Sequence, residues 1–408
     1  MANTDNNLTD RLLLVAGVAL FALGQSLNFL IVAPMARAAG LTVPQFGIAF
    51  TIASLPMIFA APFWGRRSDA LGRKPVFIIG LLGSGLGTGV LALTLSWGIS
   101  STVSIMGLLV ALTCARTFYG LTSSAIYPAA AAYMADVTTF ENRAKGMALI
   151  GSANSLGAIF GPLLAAGLTF AGELVPMYAA AGLCVIGAGA AVFLLREPEV
   201  HKEARRQKSD LKWTDPRLRP FLIIWACFFL VFISMNLLTA FYIEDALGVT
   251  DKKQVIRIAS LVLISMSVVI VVVQGVILQI WRVSPKILLR LCSPAFCIGL
   301  LLIAIAESVP VLAAGFAWFG LSFALATPGI NGSASLAMEA HEQGAAAGYL
   351  SASNTAGAIA SPLVGTSIYQ IAPSAPFFAG AALFFVISLY ALTIKVQDPA
   401  TRAATTTA

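Results

Sequence analysis

One arginine, Arg116, lies inside a long apolar stretch, four residues before Gly120. A guanidinium held in the hydrocarbon of a bilayer costs several kcal/mol unless it is paired or hydrated. Carboxylates avoid the middle of every apolar stretch. Asp10, Asp69, Asp136, Glu339 and Glu342 fall at one set of ends, and Glu173, Glu244, Asp245, Asp251 and Glu307 at the other. With no fixed negative charge to offset its desolvation, a cationic partner is disfavoured. Neutral, zwitterionic or anionic organic molecules, siderophore-type metabolites among them, fit better. The residue 200 positions after Arg116 is Phe316, so only one part of the chain keeps the charge. The remaining polar candidates for touching a small-molecule substrate are Gln25, Asn28, Tyr119, Tyr127, Asn154, Asn236, Tyr242, Gln274, Asn331 and Asn354. Gln25 and Asn28 are three apart and share a helix face. In a bilayer such groups turn toward the protein interior. Phe29, Trp225, Phe241, Trp318 and Phe323 are suited to line a partly apolar cavity, although core packing is their commoner use.

Other chemistry is poorly served. Cys114, Cys184, Cys227, Cys292 and Cys297 all fall in apolar stretches without metal-ligand spacing, as small packing residues do. The two histidines, His201 and His341, lie in charged connecting segments. No nucleophile–base pair or metal cluster can be assembled, so neither an enzyme nor a metal site is expected, and no bound cofactor.

The elements that hold these residues follow from composition. The 408 residues are 58% hydrophobic and 11% charged, with a mean hydropathy of +0.88. A soluble domain carries roughly 25% charged residues. A bilayer crossing needs about 20 mostly apolar residues. Twelve stretches qualify, over approximately 11–34, 44–64, 75–97, 103–126, 144–170, 175–195, 219–242, 255–280, 286–306, 310–333, 345–370 and 375–395. The fold class is an all-α membrane protein. The first stretch is too long for a signal-peptide core and is expected to be a retained helix. Placing both termini in the cytoplasm puts 20 of the 25 Lys and Arg residues on that side and 4 on the other, with Arg116 between. The net charge of +7 is thus explained by topology and contact with anionic lipid rather than by nucleic acid.

The chain also repeats itself. Asn154 to Leu163 reads NSLGAIFGPL and Asn354 to Leu363 reads NTAGAIASPL. The same offset pairs Gly120-Leu121 with Gly320-Leu321 and Pro128 with Pro328. Near the start of each half, Ser26-Leu27-Asn28 pairs with Ser234-Met235-Asn236. The expected organisation is two six-helix pseudo-repeats, residues 1–195 and 219–408, the second with a short cytoplasmic tail. A basic cytoplasmic linker, 196–218, joins them.

Gly65 to Pro75 reads GRRSDALGRKP. It closely resembles the loop signature of the major facilitator superfamily, G-x-x-x-D-x-x-G-R-K/R. The six-plus-six parallel repeat is also that family's plan. Gly65 would allow close helix approach, Gly72 a tight turn and Pro75 a first helical turn. Asp69 can pair with an arginine and hold an inner gate. The second-half loop, Trp281 to Lys286, keeps only basic residues and a proline. Arg116-x-x-x-Gly120 resembles a family element implicated in proton transfer. Gly157 to Pro162 follows the G-x-x-x-G-P pattern of helix 5 in the family's drug–proton antiporters, although Ser361 replaces the second glycine in the second half. Tyr133 to Gly146 is similar to the tetracycline–proton antiporters and their relatives.

The resemblance implies a monomeric carrier of a bacterial-type inner membrane. It would export a small organic molecule against protons by alternating access, the halves rocking about a central site. The proton gradient is its energy source, and protons, lipid and the small molecule are its partners. Arg116 is the expected proton-coupling residue by that resemblance; by elimination Asp136 joins it as proton carrier, with Glu244, Asp245 and Glu307 as the other candidates. Gly65, Asp69, Gly72, Arg73, Glu141 and Arg143 are expected to gate, and Gly157, Gly161 and Pro162 form the antiporter motif. A proton-coupled importer or uniporter on the same fold is the alternative, which the glycine-rich helix 5 disfavours.

Overall fold

The computed structural model describes residues 2–100, 103–138, 143–198, 211–281, 283–339 and 342–394. Among them the chain is helical, without a strand. This is what a bilayer demands, because every backbone N–H and C=O must find its partner inside the segment. Twelve helices result: α1 (Ala2–Ala38), α2 (Val43–Leu71), α3 (Arg73–Ser100), α4 (Ile105–Asp136), α5 (Arg143–Leu168), α6 (Val175–Leu194), α7 (Arg219–Asp245), α8 (Lys252–Ile277), α9 (Pro285–Ala304), α10 (Val309–Ala337), α11 (Gln343–Tyr369) and α12 (Ala375–Thr393). Eleven of them contain a segment long and apolar enough to cross a membrane. α11 has 27 residues, but Ser351, Ser353, Asn354, Thr355, Ser361 and Thr366 dilute its apolar character.

Two helices are locally broken, and proline explains both. α2 interrupts at Leu55-Pro56. α4 interrupts at Ser124-Ala125, where the ring of Pro128 would meet the carbonyl four residues earlier. α4 then runs on to Asp136, ten residues past the end expected at 126. The cluster from Ser123 to Pro128 reads as a boundary, yet the alanines that follow, Ala129 to Ala132, are strong helix formers. One helix therefore carries both Arg116 and Asp136.

Packing divides the chain into two units. The first comprises Met1–Glu203 with Thr239–Glu244 and Val249–Ser260. In it α1 packs on α5, α6 and α3, and α3 on α4 and α6. Gly157 and Gly161 of α5 press on the α1 backbone so closely that a Cβ at either would collide with it, at Ala19 and Leu23 respectively. The second unit comprises Ala204–Leu238, Asp245–Gly248 and Leu261–Ala408. There α9 lies against α10 and α12. α11 meets α7, with Gly357 against Ala226 and the Ser234 hydroxyl donating to the Ser361 carbonyl at 2.9 Å. Its centre is aromatic. The rings of Phe228 and Phe296 are 4.7 Å apart, Phe296 and Phe319 4.6 Å, Phe296 and Phe384 4.2 Å, and Phe232 and Phe319 5.1 Å. Helix association in lipid rests on such van der Waals packing rather than on a hydrophobic driving force.

Candidate functional site

Arg116 of α4 lies against two rings, its guanidinium carbon 4.8 Å from the centroid of Phe50 and 4.8 Å from that of Tyr119. Each contact contributes about 0.5–2 kcal/mol, less than a charge partner would. Among the described residues no carboxylate lies within ion-pair distance of Arg116. Its Nη1 is buried without a hydrogen-bond partner. The Tyr119 hydroxyl, both polar atoms of the Asn28 side chain and the Ser84 hydroxyl are in the same condition. Asn28 and Ser84 face the Tyr119 phenol together with Arg116, and Cys184 stands beside it. Asn28 and Tyr119 are each 2% exposed and Ser84 is fully buried. An orphaned buried polar group costs roughly 1–3 kcal/mol, so this cluster from α1, α3 and α4 has a large unmet bonding capacity.

The other sequence-derived candidates divide between the units. In the first, the Tyr127 hydroxyl hydrogen-bonds Oδ1 of Asn154, linking α4 to α5, and its ring meets Phe21 edge-on at 5.5 Å. Gln25 is half-buried on α1, and Tyr242 is 2% exposed. In the second, Asn236 donates to its own helix at Phe232 O (2.7 Å) and Asn331 to Thr327 O (2.8 Å). Gln274 donates to Ala324 O at 3.3 Å, and Asn354 is half-buried on α11.

A charge cluster closes the α2–α3 turn. Arg73 bonds Asp69 at 2.5 Å, Asp136 of α4 at 2.9 Å and the Ser68 hydroxyl at 3.0 Å. Asp136 is 16% and Asp69 69% exposed, so the Asp136 pair is the less screened of the two. Gly72 ends α2 at φ +99°, where a side chain would be strained and would strike the Glu197 carboxylate. That carboxylate accepts from the backbone N–H groups of Arg73 (2.5 Å) and Lys74 (3.0 Å), the first residues of α3. Gly65 does not serve the close approach expected of it: a Cβ there would meet no neighbour, because this part of α2 is largely exposed. Pro162 lies inside α5. Glu141 and the side chain of Arg143 fall outside the described residues. At the opposite end of the first unit, Glu244 is held between Arg37 (2.9 Å) and Lys252 (2.6 Å).

Sequence reasoning missed Ser84, Phe50 and Glu197. Ser84 stands among Gly80, Gly83 and Gly87, so its hydroxyl reads as one more small packing residue. Phe50 is one apolar residue among many in its stretch. Glu197 looks like the start of a solvated linker, and only the two-residue N-terminal turn it caps distinguishes it.

The comparisons agree with this architecture. Residues 14–282 match the Major Facilitator Superfamily. Multidrug resistance protein 2 of Bacillus subtilis is 28% identical over 370 residues, 86% of each chain. The class C tetracycline resistance protein of Escherichia coli is 28% identical over 367 residues, 84% of this chain and 85% of its own. The crystal structure of the human organic anion transporter MFSD10 superposes with a TM-score of 0.66 at 20% identity, covering 94% of this chain and 99% of that one. The chain is a multi-pass membrane protein of the major facilitator superfamily, a transporter of small molecules similar to drug–proton antiporters.

Proposed function

We propose that the chain is a proton-driven exporter of neutral, zwitterionic or anionic small organic molecules, working by alternating access in the cell inner membrane with both termini cytoplasmic. The observation that carries this reading is Arg116, a membrane-depth cation that no carboxylate compensates among the described residues. A site of that sign repels cationic cargo and accepts an anion or a dipole. The multidrug and tetracycline resistance proteins, similar over 84–86% of this chain, support export. Arg116 and Asp136 carry the coupling. Asp136 is bonded to Arg73, which ties the end of α4 to the Asp69–Arg73 turn, and the making and breaking of that tie would close and open the inner gate.

Inverted membrane vesicles test the reading. With an acidic lumen, the account expects tetracycline or hippurate to accumulate inside and to leak back when the gradient is collapsed. Gradient-driven loss of preloaded compound would indicate an importer, and accumulation indifferent to the gradient a uniporter.

A further inference from the structure

Each side chain orphaned around Tyr119 can donate, only the Asn28 Oδ1 among the unpaired atoms being a pure acceptor, and none carries negative charge. Arg116 offers guanidinium N–H groups in a rigid planar fork. Tyr119 and Ser84 offer hydroxyls and Asn28 an amide NH2. The rings of Phe50 and Tyr119 both lie against the guanidinium, and its Nη1 is left without a hydrogen-bond partner. An isolated packing arginine would turn those N–H groups to backbone carbonyls or a carboxylate, but Nη1 meets neither. Asn28, 2% exposed with both polar atoms unpaired, has not satisfied itself on its own helix as Asn236 and Asn331 do.

We propose that Arg116, Tyr119, Asn28 and Ser84 form a binding subsite for the carboxylate of a small organic acid, the carboxylate oxygens accepting from Arg116 Nη1 and from the three neutral donors. The match is electrostatic, because hydrogen bonds from a cationic donor to a carboxylate are stronger than neutral ones. The Phe50 and Tyr119 rings beside the guanidinium favour an acid with an apolar body. This names the cargo class for the transporter proposed above and rests on that reading for the term cargo alone; the subsite itself stands on the donor geometry.

The test is equilibrium binding to the full-length chain in detergent, without any gradient, read as thermal stabilisation. Hippurate is the probe, with hippuramide as its neutral counterpart, benzylamine as a cation and bromide as an inorganic anion. Hippurate is expected to raise the melting temperature saturably, by about 2 °C or more, and hippuramide and benzylamine not to. Arg116→Gln removes the response. Asn28→Asp, nearly isosteric and therefore tolerant of the fold, supplies an internal carboxylate: hippurate binding weakens at least about tenfold and benzylamine begins to stabilise. An equal hippurate response in wild type and Arg116→Gln overturns the subsite, as does a wild type that responds to no anion, which would mean that water satisfies the donors. Stabilisation by bromide alone overturns the organic-acid assignment. Binding of hippurate without proton-driven accumulation in vesicles would sink the export reading and leave the subsite standing. Accumulation without Arg116-dependent binding would do the reverse.

Discussion

Positions 200 residues apart carry Arg116 and Phe316, Tyr119 and Phe319, Cys184 and Phe384. In the first unit they surround a cluster of buried polar atoms without partners. In the second they join Phe228 and Phe296 in a stack whose ring centroids are 4.2–5.9 Å apart. Two copies of one helical plan have thus been filled in opposite ways. The aromatic core places large rings in edge-on and stacked arrangements, each pair contributing about 0.5–1.5 kcal/mol beyond its area. The polar cluster gives up stability and keeps unmet bonding capacity for something else. Duplication shows which backbone the fold needs, and the departures from it show which side chains it does not need. Those are the ones to suspect of function.

The largest expected effect comes from breaking the aromatic side of the comparison. Phe296, in contact with Phe228, Phe319 and Phe384, should cost about 3–5 kcal/mol when changed to Ala, measured by thermal or denaturant unfolding in detergent. A loss below about 1 kcal/mol would mean that the stack is not what holds the second unit. Next is the charge pair of the first unit. Asp136→Asn should leave Arg73 short of its less screened partner, destabilising the α2–α3 turn by roughly 1.5–3 kcal/mol and lowering transport. Cysteine accessibility at Ser68 is the readout, and an unchanged labelling rate would refute the clamp. Smaller again is Tyr119→Phe. Because the hydroxyl makes no hydrogen bond of normal geometry among the described residues, its removal should shift stability by less than about 1 kcal/mol, in either direction, while lowering transport. A large loss of stability would mark the hydroxyl as structural.

The smallest effect lies at the foot of α7. Arg217 hydrogen-bonds Asp215 and holds its carboxyl below the ordinary aspartate range, while also reaching Glu342 at 2.9 Å. A depressed folded-state value means that the contribution is present above the ordinary aspartate value, near 3.9, and fades as pH falls through the lowered one. Asp215→Asn should therefore lower the melting temperature slightly at pH 7 and leave it equal to wild type in strong acid. A difference that grew on acidification would contradict the sign.

The fold was legible because a bilayer leaves so few solutions. Long apolar runs had to be helices, and the NSLGAIFGPL and NTAGAIASPL segments had to occupy equivalent helices. The site was legible only in part. Arg116 and Asn28 declare themselves as polar residues in apolar runs, and Asp69 with Arg73 as neighbours in one turn. That Asn28, Ser84 and Tyr119 meet depends on the rotational phase of α1, α3 and α4, which hydropathy does not encode. The continuation of α4 past Pro128, which delivers Asp136 to Arg73, was hidden by a run of boundary-like residues. Glu197 was hidden because a carboxylate that caps a helix and one that faces water have the same sequence.

The central claim is that the uncompensated arginine of the first unit drives coupled transport. Arg116→Ala, reconstituted beside wild type in inverted vesicles with an acidic lumen, tests it most directly. The account predicts normal insertion, a folded protein with a cooperative melting transition, and accumulation reduced to the level of protein-free vesicles. Wild-type accumulation driven by the same proton gradient would contradict it.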